Sequence, residues 1–152
     1  MRIISTAPAR YKQFAIAKRD GGLRRIAQPS RELKVLQRFL LEKKLDRLPV
    51  HRAAAAYVIG RGIRDNAGVH CQNSVILKLD FENFFPSIRV RDWKLYVEKN
   101  VPEWVPDIRL LVNILFWGQG KNVVNPKCLS IGAPTSPMIS NLIMFELAAC
   151  RT

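Results

Sequence analysis

The sequence predicts an α+β chain whose sheet is incomplete, and three observations lead there. An Asp-Gly-Gly turn between two alternating apolar runs reads as a β-hairpin. One further apolar run, "VILKLD" at residues 75–80, has the length and β-branched content of an internal strand. Most of the remaining chain has helical periodicity, and so few strands cannot cover that many helices. With 152 residues, 48% apolar and 24% charged, the chain can build one domain with a core, or part of a larger fold.

The hairpin comes first. In "YKQFAIAKRDGGLRRIAQP", Phe14 and Ile16 alternate before the turn at Asp20-Gly21-Gly22, and Leu23 and Ile26 follow it. Lys18, Arg19, Arg24 and Arg25 ring its tip. After Pro29, Ser30 is a good N-cap for a helix with Leu33, Leu36, Leu40, Leu41, Leu45 and Leu48 on its apolar face. Lys34, Arg38, Lys43, Lys44 and Arg47 fall mainly on the solvent side, and Pro49 ends the helix. "RAAAAYVIGRGIRDNAGVH" reads as a short helix or strand and then a loop.

In the strand at 75–80, Val75, Leu77 and Leu79 share one face, and Ile76, Lys78 and Asp80 the other. "VRDWKLYVEK" is helical, as is "PDIRLLVNILFW", with Pro106 in its first turn and Gly118 and Gly120 beyond its end. "GKNVVNPKCLSIGAPTSP" is a loop or hairpin, and Ser136-Pro137 opens a last helix, "MISNLIMFELAAC". No internal repeat, low-complexity segment or interdomain linker stands out.

Charge narrows the partners. Lys plus Arg number 25 against 12 acids, a net charge of +13 with a pI near 10.3. That excess favours a polyanion, nucleic acid being the commonest; the alternative is a soluble protein with a basic face and no such partner. The three cysteines, Cys71, Cys128 and Cys150, form no CxxC pair. They suggest neither a disulfide framework nor a zinc site, and point to a reducing cytoplasm. The N-terminus has no signal-peptide core, and no run approaches the ~20 apolar residues of a membrane span. The expectation is a cytoplasmic protein with no membrane partner.

Four motifs carry possible chemistry. Asp80, held rigidly at the end of a strand, is placed as polymerases and nucleases place a carboxylate that binds Mg2+. Taken alone it equally reads as a turn or cap residue, and Phe84 and Phe85 as plain core. "IGAPTSPMISN" bends at Gly132 and Pro134, where a glycine lets a base pair or sugar approach the backbone; a plain capped loop is the other reading. "DGGLRRIAQPSREL" sets guanidinium groups on a hairpin suited to phosphate, or is a solvated basic turn. "NAGVH" reads as a turn with a satisfied histidine, and "GRG" at 60–62 lacks the context of a dinucleotide fingerprint.

The order "LRRIAQPSREL", "NAGVH", "LDFENFFPSI", "IGAPTSPMISN" resembles bacterial reverse transcriptases, the retron class most closely, from about Tyr11 to the end of the chain. The resemblance implies the fingers, over about residues 1–70, and part of the palm, over about 71–152, of a right-hand polymerase. It implies RNA-directed DNA polymerisation with Mg2+, dNTPs, an RNA template and nascent DNA as ligands, a cognate non-coding RNA as partner, and a part in antiviral defence. By the same resemblance Asp80 is the first metal-binding aspartate, and the carbonyl of Phe81 a further ligand. Phe85 is the ring under the incoming sugar that disfavours a 2′-OH. Arg24 contacts the triphosphate, with Lys18 a looser second. Gly132, Ala133, Pro134 and Ser136 form the turn that supports the template base pair and nucleotide. Asn66, Ala67 and His70 match the retron-type element. One departure is Ile131, where many relatives carry Gln before the Gly-Ala-Pro turn.

The family completes its metal site with a Tyr-x-Asp-Asp hairpin downstream of this turn. The sequence contains no such motif, and no acid follows Glu146. Two-metal phosphoryl transfer needs several anionic ligands, which one carboxylate cannot replace. The expectation is therefore a portion of a polymerase, without the second half of the palm and the thumb, inactive until a downstream segment or separate chain completes it. The alternatives are a non-catalytic RNA- or DNA-binding module that keeps the fold, and an RNA-templated RNA polymerase, against which Phe85 argues.

Overall fold

The computed structural model describes residues 2–18, 21–118 and 128–149. Within them the only ladder is an antiparallel pair, β1 (Tyr11–Ala17) and β2 (Leu23–Pro29), in register from Tyr11 opposite Pro29 to Ala17 opposite Leu23. The loop closes with the Lys18 N–H donating to the Gly22 carbonyl at 3.1 Å, and Gly21 and Gly22 take φ of +84° and +79°. These left-handed angles suit glycine, so the expected turn forms; its Asp20 lies outside the described residues, as does Arg19.

Helices make up most of the rest. α1 (Arg2–Thr6) precedes the hairpin, and α2 (Arg31–Lys43) follows it with Ser30 as its N-cap. The Ser30 hydroxyl accepts from the Leu33 N–H at 3.4 Å. The capping position of Glu32 shows in its acidity: hydrogen bonds from its own backbone N–H and from Ser30 hold its carboxyl below the usual range. α3 is Ile63–His70, α4 is Phe84–Ser87, α5 is Val90–Asn100, α6 is Ile108–Leu115 and α7 is Ser136–Ala149. A 3-10 segment, Pro102–Asp107, leads into α6, so that helix starts two residues after Pro106 and stops before Phe116 and Trp117. Pro106 lacks the N–H that an α-helical turn would use, and 3-10 geometry accommodates it.

A main core joins these helices except α3, which buries no residue. Trp93, Val97, Leu115, Phe116, Leu129, Ile139 and Leu142 are fully buried, with Leu33 and Leu45 from the α2 region. A buried polar residue ties three elements together. Gln37 of α2 donates through Nε2 to the Ile114 carbonyl of α6 at 2.8 Å and to the Tyr11 hydroxyl of β1 at 3.1 Å. Burial of Tyr11 pushes its phenol up to about 12, although the Gln37 contact pulls the other way.

Two expectations are corrected. Residues 75–80 form no strand: they carry no regular structure, pair with no described strand and are exposed, with Val75 84%, Leu77 82% and Leu79 80% accessible. A strand is held by backbone bonds to a neighbour, and no described segment lies alongside to supply them. Residues 52–62 are turns rather than a helix or strand, and the segment expected as a loop beyond them contains α3. The Asp65 carboxylate accepts from the Gly62 N–H at 2.7 Å and so starts that helix. Residues 119–127, within the expected loop or hairpin, lie outside the described residues. The α+β class stands, its sheet reduced to two strands.

Two outcomes follow for stability. Trp93→Ala empties the centre of the core and is expected to cost about 3–5 kcal/mol in urea unfolding, whereas Val35→Ala on the exposed side of α2 shifts it by about 0.5 kcal/mol or less. Because the folded state favours the neutral Tyr11 phenol, its contribution is full below the ordinary tyrosine pKa near 10 and is lost as pH rises through about 12. Ultraviolet titration of the folded chain against Tyr11→Phe should show one phenol ionising late.

Candidate nucleotide and nucleic-acid site

The site is built where the hairpin meets the turn before α7. β2 is exposed toward its tip and buried at its base, where Ala27 and Pro29 are inside. The Ala27 N–H donates to the Ile131 carbonyl at 3.0 Å, which extends the base of the hairpin onto the 131–136 turn. Gly132 follows at φ +118°. A Cβ there would lie 3.2 Å from the Ala27 carbonyl oxygen and 3.3 Å from Ile26 Cγ2. The expected reason for this glycine, close approach of a base or sugar, is therefore corrected in one respect: on the Cβ side the neighbour is β2.

The hairpin overhangs a cleft of about 990 Å³. Lys18, Arg24 and Arg25 of the hairpin line it, as do the acids Asp80 and Glu82. Phe81, Phe84, Phe85, Trp117 and Ile131 add apolar surface. The ring centroids of Phe81 and Phe84 are 5.5 Å apart and those of Phe84 and Phe85 5.6 Å, so the Phe84 ring contacts both others. Asn83 makes the bend between Asp80 and α4, at φ +49°, a left-handed conformation that asparagine tolerates better than most residues. Cations and carboxylates lining one cleft can together hold a phosphate chain and a metal cation, which neither set does alone.

Asp80, Phe81, Phe85, Lys18 and Arg24, singled out from sequence, thus line one cleft. Gly132, Ala133, Pro134 and Ser136 line a second of about 340 Å³, which shares Phe85 and Ile131 with the first. Asn66, Ala67 and His70 sit on the exposed helix α3 and line neither. Three lining residues escaped the sequence reading. Lys34 and Arg38 looked like solvated helix positions, and Tyr57 stood in a run of alanines; periodicity marks a helix face but not what lies across from it.

For Mg2+ the donor set falls short. Asp80 and Glu82 line the cleft, yet among the described residues no three His, Cys, Asp or Glu side chains gather closely enough to hold an ion. The described residues alone do not fit a two-ion centre.

Gly132→Ala meets both a strained φ and the β2 backbone, and is expected to destabilise the chain by about 1–3 kcal/mol. Thermal unfolding measures this, and amide hydrogen exchange should show lost protection at Ala27.

The comparisons with known proteins place the chain in a family. The family model described as "Reverse transcriptase (RNA-dependent DNA polymerase)" matches residues 16–149. The retron Ec83 reverse transcriptase of Escherichia coli is 38% identical over 93% of this chain and 46% of its own length. The retron Mx162 reverse transcriptase of Myxococcus xanthus is 37% identical over 96% of the chain and 32% of its own length. The retron Ec73 reverse transcriptase of Escherichia coli is 32% identical over 95% and 46%. The chain thus spans between a third and a half of the length of these relatives. It belongs to the reverse transcriptase family, and its similarity to these relatives is to the retron type.

Proposed function

We propose that this chain supplies the fingers and the first part of the palm of an RNA-directed DNA polymerase of retron type. The observation that carries the reading is the cleft lined by Lys18 and Arg24 of the hairpin together with Asp80 and Phe85. In this reading the two cations hold the triphosphate of an incoming dNTP, Arg24 through its planar fork. Phe85 packs against the sugar and leaves no room for a 2′-OH. The Gly132–Ser136 turn supports the templating pair from the second cleft. The completed enzyme extends a DNA 3′ end on RNA, by in-line attack of the terminal hydroxyl on the α-phosphate.

Asp80 is one carboxylate of the Mg2+ site, with the Phe81 carbonyl beside it. Its other donors come from a segment or chain carrying the Tyr-x-Asp-Asp hairpin, because the described residues gather no second pair of acids. The exposed residues 75–80 suit that completion: they present unpaired backbone and apolar side chains to which further strands can add.

Primer extension on an RNA template tests this. The 152-residue chain with Mg2+ and dNTPs is expected to show no incorporation, and a mixture with a chain carrying the Tyr-x-Asp-Asp part is expected to restore it. Asp80→Ala should abolish the restored activity, and Phe85→Ala should raise ribonucleotide use. Incorporation by the chain alone would overturn the incompleteness. Restored activity indifferent to Asp80→Ala would remove the metal-ligand role and leave a nucleic-acid-binding module.

A further inference from the structure

Val75, Ile76, Leu77, Leu79 and Phe81 all stand exposed within one short segment. No other stretch of that length among the described residues exposes as many large apolar side chains. The segment pairs with no described strand, and an edge of this kind is a template for another strand. Phe81 also lines an apolar groove of about 400 Å³, with Leu95 of α5 and Ile143 of α7.

The segment is complementary to a copy of itself. In an antiparallel pair, residues directly opposite one another lie on the same face of the ladder. With Leu79 opposite Leu79 of a second copy, Leu77 falls opposite Phe81 and Lys78 opposite Asp80, each pair twice about the two-fold axis. Leu77, Leu79 and Phe81 of both copies then share one apolar face, and the other face carries two pairs of opposite charge. Neighbouring registers are worse. Lys78 opposite Lys78, or Asp80 opposite Asp80, sets like charges together, and a slip by one residue sets charged side chains against leucines. The favoured register also brings Leu77 of the second copy to Phe81, which lines the groove.

We propose that residues 77–81 pair antiparallel with the same residues of a second copy of this chain, forming a two-fold dimer centred on Leu79. A net charge of +13 opposes the approach of two copies, so association needs local complementarity, which the two Lys78–Asp80 pairs supply. A two-stranded ladder is marginal by itself, and burial of Leu77, Leu79 and Phe81 from both copies adds the remaining stability. The dimer does not depend on the polymerase reading. It engages Asp80, the carboxylate which that reading gives to Mg2+, so pairing and metal binding draw on one side chain. Either assignment can fail without the other.

Sedimentation equilibrium of the whole chain, at micromolar concentration and physiological salt, tests the proposal. The expected mass is twice the 17.4 kDa of one chain. Lys78→Asp and Asp80→Lys are each expected to weaken the dimer about tenfold, because each sets like charges opposite one another. General charge repulsion predicts the reverse for Lys78→Asp, which lowers the net positive charge and on that ground eases association. The double exchange, Lys78→Asp with Asp80→Lys, rebuilds opposite-charge pairs in the same register and is expected to recover the dimer. Both side chains are exposed, so neither change disturbs the core, and circular dichroism checks that each variant is folded. A monomer at these concentrations, open-ended aggregates in place of a dimer, or a dimer indifferent to both single changes overturns the proposal. So does a double exchange that fails to recover the dimer.

Discussion

The junction between β2 and the turn before α7 is the constraint on which the site depends. The Ala27–Ile131 hydrogen bond and the glycine beside it let two backbones approach more closely than a side chain would permit. That approach sets the position of the hairpin base, and the rigid ladder of the hairpin carries it to the tip. Arg24 and Lys18 line the Asp80 cleft because the chain some hundred residues later offers an open carbonyl and no Cβ. The Tyr11–Gln37–Ile114 contacts tie the other strand to α2 and α6, so the hairpin is held from two sides. A buried amide in this role specifies register better than an apolar residue would, because misplacing it leaves polar groups unpaired.

Charge is distributed unevenly around that frame. A net +13 would favour any polyanion, but the first cleft sets hairpin cations against Asp80 and Glu82, while the neighbouring cleft has cations alone. Phe85 and Ile131 belong to both, so the two environments meet at an apolar partition. The junction with Ala27 runs through the backbone carbonyl of Ile131, so it does not depend on the side chain at that position.

Local signals were readable where the physics is local. The glycine-rich turn, the Ser30 cap, the leucine face of α2, and the α5 and α7 segments all form as their periodicity and punctuation indicate. Residues 75–80 did not become a strand, because alternation says which face a strand would bury but supplies no neighbour. The "NAGVH" stretch joined a helix because Asp65 caps it, a contact hidden by the two glycines upstream. Lys34, Arg38 and Tyr57 were invisible as a set, since they converge from a helix and a loop separated by turns without regular structure.

By itself, then, the sequence determined the family, through four motifs in order, together with the hairpin, the Ser30 helix start, the α5 and α7 segments, and the basic excess. These depend on backbone preferences and side-chain types that act over a few residues. Only the tertiary structure decided that Gly132 gives way to β2, that the hairpin cations share a cleft with Asp80, and that Tyr57 joins Lys34 and Arg38 in another. Each of those is a meeting of segments distant in sequence. It is selected by packing and hydrogen bonding across the fold, to which no short window of residues is sensitive.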